Sequence, residues 1–128
     1  MAIQFGRYQL LKKLASGGMG QVFLARTGQE GFEKLVVLKR ILPHLVEDEE
    51  FFTMFQDEAK ITMRLNHPNI AQIFEFGEER GIHYLVMEYI AGEDVRRLSK
   101  RVAAAGQNLP LGVILRVIAD AAAGLDYA

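Results

Sequence analysis

The first forty residues alternate between apolar and polar positions in short runs that are typical of β-strands. Strand-favouring residues extend from Tyr8 to Leu14 and again over residues 21–27, with a cluster of glycines between the two runs. This spacing predicts an antiparallel hairpin. The β-branched run KLVVLKRI at residues 34–41 is apolar at most positions, which predicts a strand buried on most of both faces.

Apolar positions recur with a helical period after Pro43. The acidic residues 47–50 suit the amino end of a helix, where the helix dipole favours negative charge. Pro68 restricts the residue before it to extended conformations and therefore ends the helix. The positions that recur at three- and four-residue spacing are Phe51, Met54, Phe55, Glu58, Ile61 and Leu65. We expect this stripe to form the apolar face of the helix.

Two more strands are predicted, at residues 70–79 and 82–90, with a turn at Arg80-Gly81 between them. Together with the earlier elements they indicate an α+β fold. The expected architecture over residues 1–90 is a five-stranded, mainly antiparallel sheet with one helix packed against it.

The pattern changes from strands to helices after Gly92. Residues 93–106 and 110–128 are helical by propensity and periodicity, with Pro110 suited to a first helical turn. The second helix is apolar nearly all round, as expected of a helix buried inside a larger domain. We therefore divide the chain into a sheet-containing part, residues 1–90, and a helical part, residues 91–128.

The composition of the chain excludes some kinds of binding partner and metal site. The chain has 128 residues, about one domain's length, with 15 basic and 16 acidic residues. This balance implies no bulk attraction to nucleic acid or to an anionic membrane, and we expect no nucleic-acid partner. The sequence has no cysteine and three scattered histidines, so it offers neither a disulfide framework nor a thiolate metal site.

The amino terminus lacks the continuous apolar core of a secretion signal, and no run of about 18 uncharged apolar residues occurs in the sequence. We therefore expect a cytoplasmic domain. A transmembrane segment downstream of Ala128 stays an open alternative.

Two charged residues interrupt apolar patterns. Lys39 shares a strand face with Val37 and Ile41, and Glu58 lies within the apolar stripe of the helix. Leaving one member of a buried ion pair without the other costs ~3 to 5 kcal/mol, which favours an arrangement in which the two face each other. The pairing predicts an N–O distance within ~4 Å. Taken singly, either residue is explained as a surface side chain whose stem covers apolar neighbours.

The hairpin carries more glycine than turning requires. Its segment LASGGMGQVFLA, residues 14–25, has three glycines within four residues, whereas two-residue loops serve most hairpins. Glycine lets backbone N–H groups approach a polyphosphate closely, so we expect this hairpin to lie over phosphates. Met19 at its tip is expected to be exposed and mobile without nucleotide. The lysine about twenty residues later, and the glutamate about twenty further, strengthen this interpretation.

These motifs resemble the amino-terminal lobe of a bacterial Hanks-type, eukaryotic-like serine/threonine protein kinase. The family's Gly-x-Gly-x-x-Gly-x-Val loop aligns with residues 15–22, and its Val-Ala-Ile-Lys strand aligns with residues 36–39. Residues 55–70 resemble the family's αC helix and the turn after it, which makes Glu58 the ion-pair partner of the strand lysine. Residues 84–95 resemble the fifth strand and the interlobe hinge.

The resemblance implies roles in binding ATP. Met87 corresponds to the gatekeeper, the Glu88 carbonyl and the Ile90 amide would hydrogen-bond the adenine edge, and Asp94 would meet the ribose. Lys39 and Glu58 would be the catalytic pair. The nucleotide-contacting residues implied are Leu14, Ala15, Ser16, Gly17, Gly18, Met19, Gly20, Val22, Val37, Lys39, Met87, Glu88, Ile90 and Asp94, among which Leu14, Val22 and Val37 would sandwich the adenine ring.

Two positions depart from the family pattern. Ala15 replaces the first glycine of the loop, and Val37 replaces the usual alanine of the lysine strand. We expect both changes to modulate nucleotide affinity.

The family's remaining machinery lies in motifs that this sequence does not contain. The His-Arg-Asp base and the Asn and Asp ligands of Mg²⁺ are not found, and the last eight residues resemble the helix that precedes the catalytic loop. We therefore expect Mg²⁺ ligands beyond Ala128, a carboxy-terminal lobe packed on residues 91–128, and no transfer by this chain alone. A completed chain would transfer the ATP γ-phosphate to serine or threonine of a protein substrate. The alternatives are a pseudokinase-like regulatory module that binds nucleotide, and an interaction domain that binds none.

Overall fold

The computed structural model describes residues 3–18 and 20–128. They group into two compact units, one with residues up to Asn66 together with Ala71–Tyr89, the other with His67–Ile70 and Ile90–Ala128. The strands are β1 (Ile3–Phe5), β2 (Tyr8–Gly17), β3 (Gly20–Thr27), β4 (Lys34–Ile41), β5 (Ile73–Glu79) and β6 (Ile82–Glu88). The helices are α1 (Pro43–Val46), α2 (Glu49–Met63), α3 (Val95–Ala104) and α4 (Leu111–Tyr127).

The described residues of the first unit form a six-stranded antiparallel sheet in the order β1-β2-β3-β4-β6-β5. The predicted α+β class is confirmed, with one strand and one short helix more than expected, because the segment after Pro43 forms α1 and α2 instead of one helix. The extra strand is β1, which pairs Phe5 with Tyr8 after a tight turn at Gly6, where φ is +57°. A three-residue strand is too short to show an alternating pattern in the sequence.

Alternation places two separate apolar clusters on the two faces of the sheet. In β4, Val36 and Leu38 face one way, whereas Val37 and Lys39 face the other. The first cluster, here called the outer core, consists of Phe5, Tyr8, Leu10, Phe23, Ala25, Val36, Leu38, Tyr84 and Val86. The second, here called the helix-side core, consists of Ala59, Ile73 and Leu85 with Phe55, Phe76 and Met87 packed against them.

Helix α2 begins where the acidic segment predicts. The Asp48 carboxylate caps it by accepting a hydrogen bond from the Phe51 amide at 3.1 Å. The predicted apolar stripe is wrong at three positions, because Met54 and Ile61 are 66% and 64% exposed and Glu58 is exposed as well. The small residue Ala59 is buried instead and lets the helix approach the sheet.

The second unit contains α3 and α4. The Asp94 carboxylate caps α3 by accepting from the Arg97 amide at 2.7 Å. Pro110 is the N-cap of α4, one position earlier than expected. The Asn69 amide donates to the Asp120 carbonyl at 2.9 Å, and a Cβ at Gly124 would lie 3.3 Å from the Asn69 carbonyl oxygen, so the turn at 67–70 packs closely on α4.

Helices long and apolar enough to cross a membrane are not found among residues 3–18 and 20–128.

Candidate functional site

The glycine hairpin closes tightly. Gly17 pairs with Gly20, so the pairing of β2 with β3 extends to the end of both strands. Register shifts interrupt the pairing between Leu10 and Lys12 and again between Lys13 and Ala15. Such bulges bend a strand and increase its twist, and after the second one Ala15 stands opposite Val22.

The structure gives a different reason for glycine at different positions of the hairpin. A Cβ on Gly20 would lie 2.0 Å from the Arg40 carbonyl oxygen, so the close approach of β4 requires glycine there. A Cβ on Gly17 or Gly18 would meet nothing within 4 Å. The open space next to Gly17 and Gly18 is therefore available to a ligand, whereas Gly20 is explained by strand packing.

A shallow hollow of about 270 Å³ lies beneath this hairpin. It is lined by Ala15, Ser16, Gly17, Gly18, Gly20, Val22 and Lys39. The Lys39 side chain gives this surface of otherwise small, uncharged residues a positive charge, which suits an anionic group.

A larger cavity of about 460 Å³ lies between the sheet and α2. Its lining is mostly apolar and consists of Val22, Val37, Lys39, Phe55, Glu58, Ala59, Thr62, Ile73, Leu85 and Met87. Val22 and Lys39 line both the cavity and the hollow, so the two spaces adjoin. An apolar space with a few charged groups is typical of sites for planar organic ligands.

Lys39 and Glu58 line the same cavity, but they do not form the expected ion pair. In the part of the chain that the structure describes, no carboxylate lies within 4.0 Å of the Lys39 ammonium group. Glu58 is exposed, at the margin of the face that α2 turns to the sheet. The reason is the orientation of α2, in which Ala59 occupies the centre of the contact.

The other residues that the family resemblance implies for ATP binding lie in different places. Met87 lines the cavity, and Glu88 ends β6, where its amide donates to the Gln72 carbonyl at 2.8 Å. Leu14 lies at the second bulge of β2 and lines neither space. Met19 lies outside the described residues, together with the prediction of its exposure and mobility.

Ile90 and Asp94 belong to the second unit. Asp94 is engaged within that unit, since its carboxylate caps α3 and lies 3.6 Å from the Arg97 guanidinium. Its predicted contact with a ribose would have to compete with these interactions.

The remaining residues that line the cavity were not among the predicted site residues. Phe55, Ala59 and Thr62 follow one another at four- and three-residue spacing, which places them on one face of α2. The spacing was a signal for this face. It was not recognised because Thr62 is polar and Ala59 is small, so neither stands out as an apolar position. Ile73 and Leu85 were recognised as strand residues without a role in the site.

Comparisons with known proteins identify the family of the chain. The family model described as protein kinase domain matches residues 8–128. The tyrosine-protein kinase MasK of Myxococcus xanthus is 48% identical over 125 residues, which cover 97% of this chain and 19% of MasK. The serine/threonine-protein kinase PknI of Mycobacterium tuberculosis is 32% identical over 127 residues, covering 98% of this chain and 21% of PknI.

A crystal structure of the PknI kinase domain superimposes with a TM-score of 0.76 at 30% identity, covering 98% of this chain and 49% of that one. The chain thus spans about a fifth of these curated relatives and about half of the solved domain. The resemblance inferred from the motifs is confirmed, and the chain belongs to the protein kinase domain family.

Proposed function

We propose that this chain is the ATP-binding part of a serine/threonine protein kinase, which transfers the ATP γ-phosphate to a protein hydroxyl. The observation that carries the proposal is the position of Lys39, which lines both the apolar cavity and the hollow beneath the glycine hairpin. One cation at the junction of an apolar space and an open backbone surface suits a ligand with a flat ring and a polyphosphate.

Each part of the nucleotide has a matching surface. Val22, Val37 and Met87 offer apolar contact to the adenine ring. The side of Gly17 and Gly18 where a Cβ would lie is open, so phosphate oxygens can approach this backbone closely, and the Lys39 ammonium group neutralises their charge. These residues bind and orient ATP.

Mg²⁺ accompanies ATP throughout the kinase family. Residues 3–18 and 20–128 contain no cluster of three or more His, Asp or Glu side chains that could hold a metal ion. The Mg²⁺ ligands that the family resemblance implies lie in motifs that this sequence does not contain, and we assign no step to Mg²⁺.

The test of nucleotide binding uses two neighbouring cations of β4. Lys39→Met in the 128-residue chain is expected to weaken ATP binding at least about tenfold, because it removes the charge at the phosphate site. Arg40→Met is the matched control, since Arg40 donates to the Gln21 side chain at 2.7 Å and lies over the Phe23 ring instead of lining the cavity or the hollow. Isothermal titration calorimetry measures both. Equal affinities of Lys39→Met and the unmodified chain would contradict the proposal.

Phosphate transfer is the second part of the test. We expect the 128-residue chain to bind ATP weakly and not to phosphorylate a generic basic protein, because the family's catalytic base and metal ligands lie in motifs absent from this sequence. Transfer of radiolabelled phosphate from ATP is the measurement. Robust transfer that depends on Lys39 would refute this expectation.

The acceptor residue has two candidates. PknI and the Myxococcus xanthus protein pkn3 are named serine/threonine kinases, and they support serine or threonine as the acceptor. MasK is named a tyrosine kinase at 48% identity, which makes tyrosine the second candidate. Phosphoamino-acid analysis of a protein substrate labelled by the product of the complete gene distinguishes them. Label found on phosphotyrosine alone would favour the second candidate.

A further inference from the structure

A second cluster of polar side chains lies on the outer face of the sheet. The Glu75 carboxylate accepts hydrogen bonds from the Tyr8 hydroxyl, from the Tyr84 hydroxyl at 3.0 Å and from the Arg7 guanidinium at 2.6 Å. Tyr8 and Tyr84 are only 2% and 8% exposed, so their hydroxyls need partners within the protein. We call these four residues the carboxylate clasp. It joins the beginning of β2 to β5, 67 residues later in the chain.

The clasp depends on an irregularity in β5. Ile73 pairs with Met87 and belongs to the helix-side core, whereas Glu75 pairs with Val86 of the outer core. In a regular strand, residues two apart point to the same face. The register shift between Ile73 and Glu75 turns the carboxylate to the opposite face, where the two tyrosines are.

The strand that the clasp holds also carries the glycine hairpin. Tyr8 and Leu10 of β2 are buried, whereas the residues from Leu11 to Gly17 are exposed. β1 pairs with β2 only as far as Leu10, and the pairing with β3 is interrupted by both bulges. The part of β2 that lines the hollow is therefore supported on one side only, by an interrupted ladder.

A small rotation at the base of β2 displaces the tip of the strand. The seven residue-to-residue steps from Leu10 to Gly17 span about 23 Å at roughly 3.3 Å per step. By that length, a tilt of about 5° at the base moves the tip by about 2 Å. A change of this size would misplace backbone amides relative to phosphate oxygens, because N–H···O hydrogen bonds need donor–acceptor distances of about 2.7–3.2 Å.

We propose that Glu75 is a positioning residue for nucleotide binding, which fixes the base of β2 through Tyr8 and so holds Ala15, Ser16 and Gly17 over the hollow. The inference rests on the proposed function, because it takes the hollow as the phosphate site. Glu75 does not line either space and acts only through the strand.

The electrostatics of the clasp support an ionised acceptor. Burial alone would raise the pKa of Glu75, but hydrogen bonds from Tyr8, Tyr84 and Arg7 outweigh it and lower that pKa. Burial, followed by the Glu75 carboxylate, raises the pKa of Tyr84 to about 12. At neutral pH the clasp therefore joins one carboxylate to two neutral hydroxyls, the arrangement in which all three hydrogen bonds form.

The test compares ligands with and without phosphates. Glu75→Gln in the 128-residue chain keeps the shape of the side chain but replaces one acceptor oxygen with an amide donor. We expect the Kd for ATP to rise about three- to tenfold, with the Kd for adenosine changed by less than about twofold. Glu78→Gln is the control, because Glu78 is an exposed residue of the same strand whose carboxylate lies 3.8 Å from the His83 imidazole and does not belong to the clasp, and it should leave both constants unchanged.

Hydrogen exchange separates positioning from general destabilisation. Glu75→Gln should accelerate amide exchange over residues 8–17 and leave α2 unchanged. Tyr8→Phe keeps the ring packing and removes one hydrogen bond, so it should reproduce a smaller loss of ATP affinity of about two- to fivefold even if Glu75→Gln fails to fold.

The outcomes distinguish the two proposals. An unmodified chain that does not bind ATP overturns the proposed function, and the positioning role with it. An unmodified chain that binds ATP, while Glu75→Gln and Tyr8→Phe bind it equally well, overturns the positioning role alone. Equal losses for ATP and adenosine, with faster exchange in α2 as well, also overturn it, because they indicate a structural role only.

Discussion

The two faces of the sheet differ in how completely they are packed. On the outer face, side chains from β1, β2, β3, β4 and β6 form one contiguous core, with Leu38 fully buried at its centre. On the other face, the helix-side core is small and borders a cavity of about 460 Å³. Close packing on one face can therefore stabilise the sheet while the other face leaves room for a ligand.

Strand β4 contributes to both faces. Its residues alternate, so that Leu38 contributes to the outer core and Lys39 lines the cavity. The strand thus couples the packed core to the candidate site without sharing side chains between the two. Substitutions on opposite faces of one strand should for this reason separate stability from binding.

The largest expected effect tests the packed face. Leu38→Ala should reduce the free energy of unfolding by ~3 to 5 kcal/mol, because a fully buried leucine leaves a cavity that its neighbours cannot fill. Leu85→Ala should cost less, about 1 to 2 kcal/mol, since Leu85 already borders open space. Urea denaturation followed by tyrosine fluorescence measures both, as the chain has no tryptophan. Equal losses would remove the contrast between the two faces.

The next effect tests the hairpin glycines, of which Gly20 serves close packing and Gly18 leaves room for a ligand. Gly20→Ala should cost about 1 to 3 kcal/mol, because the new Cβ would meet the Arg40 carbonyl and the backbone would have to shift. Gly18→Ala should change stability by less than about 1 kcal/mol, since its Cβ would meet open space. It should instead weaken ATP binding. Thermal unfolding and ATP titration of both variants check this, and a stable Gly20→Ala protein would contradict the packing argument.

Much of the fold follows from the sequence because strand alternation is a strong local signal. The hairpin, the lysine strand and the start of α2 were predicted correctly for this reason. β1 was missed because three residues cannot show a period. The bulge that turns Glu75 to the outer face was also missed, since a bulge is a relation between two strands and leaves no mark in the pattern of one.

The candidate site was predictable in part. The face of Lys39 followed from alternation, and its lining of the cavity agrees with that prediction. The distance to Glu58 did not follow, because apolar residues of α2 occupy two adjacent faces, one with Met54 and Ile61 and one with Phe55 and Ala59. A rotation of about 100° per residue separates such faces, and only packing against the sheet selects between them.

The smallest expected effect concerns pH and the one carboxylate of the outer face that is held by two buried tyrosines. Because the pKa of Glu75 is lower in the folded protein than its ordinary value of 4.5, ionised Glu75 contributes stability above pH 4.5 that is lost as the pH falls through its folded pKa. The unmodified chain should therefore exceed Glu75→Gln in stability near neutral pH by on the order of 1 kcal/mol, and this advantage should shrink on acidification. Tyr8→Phe removes a hydrogen bond that lowers this pKa. The pH dependence of its stability should therefore lie between those of the unmodified chain and Glu75→Gln. Urea denaturation at several pH values between 3 and 7 measures the difference, and an advantage that stays constant over this range would show that the clasp contributes no charge-dependent stability.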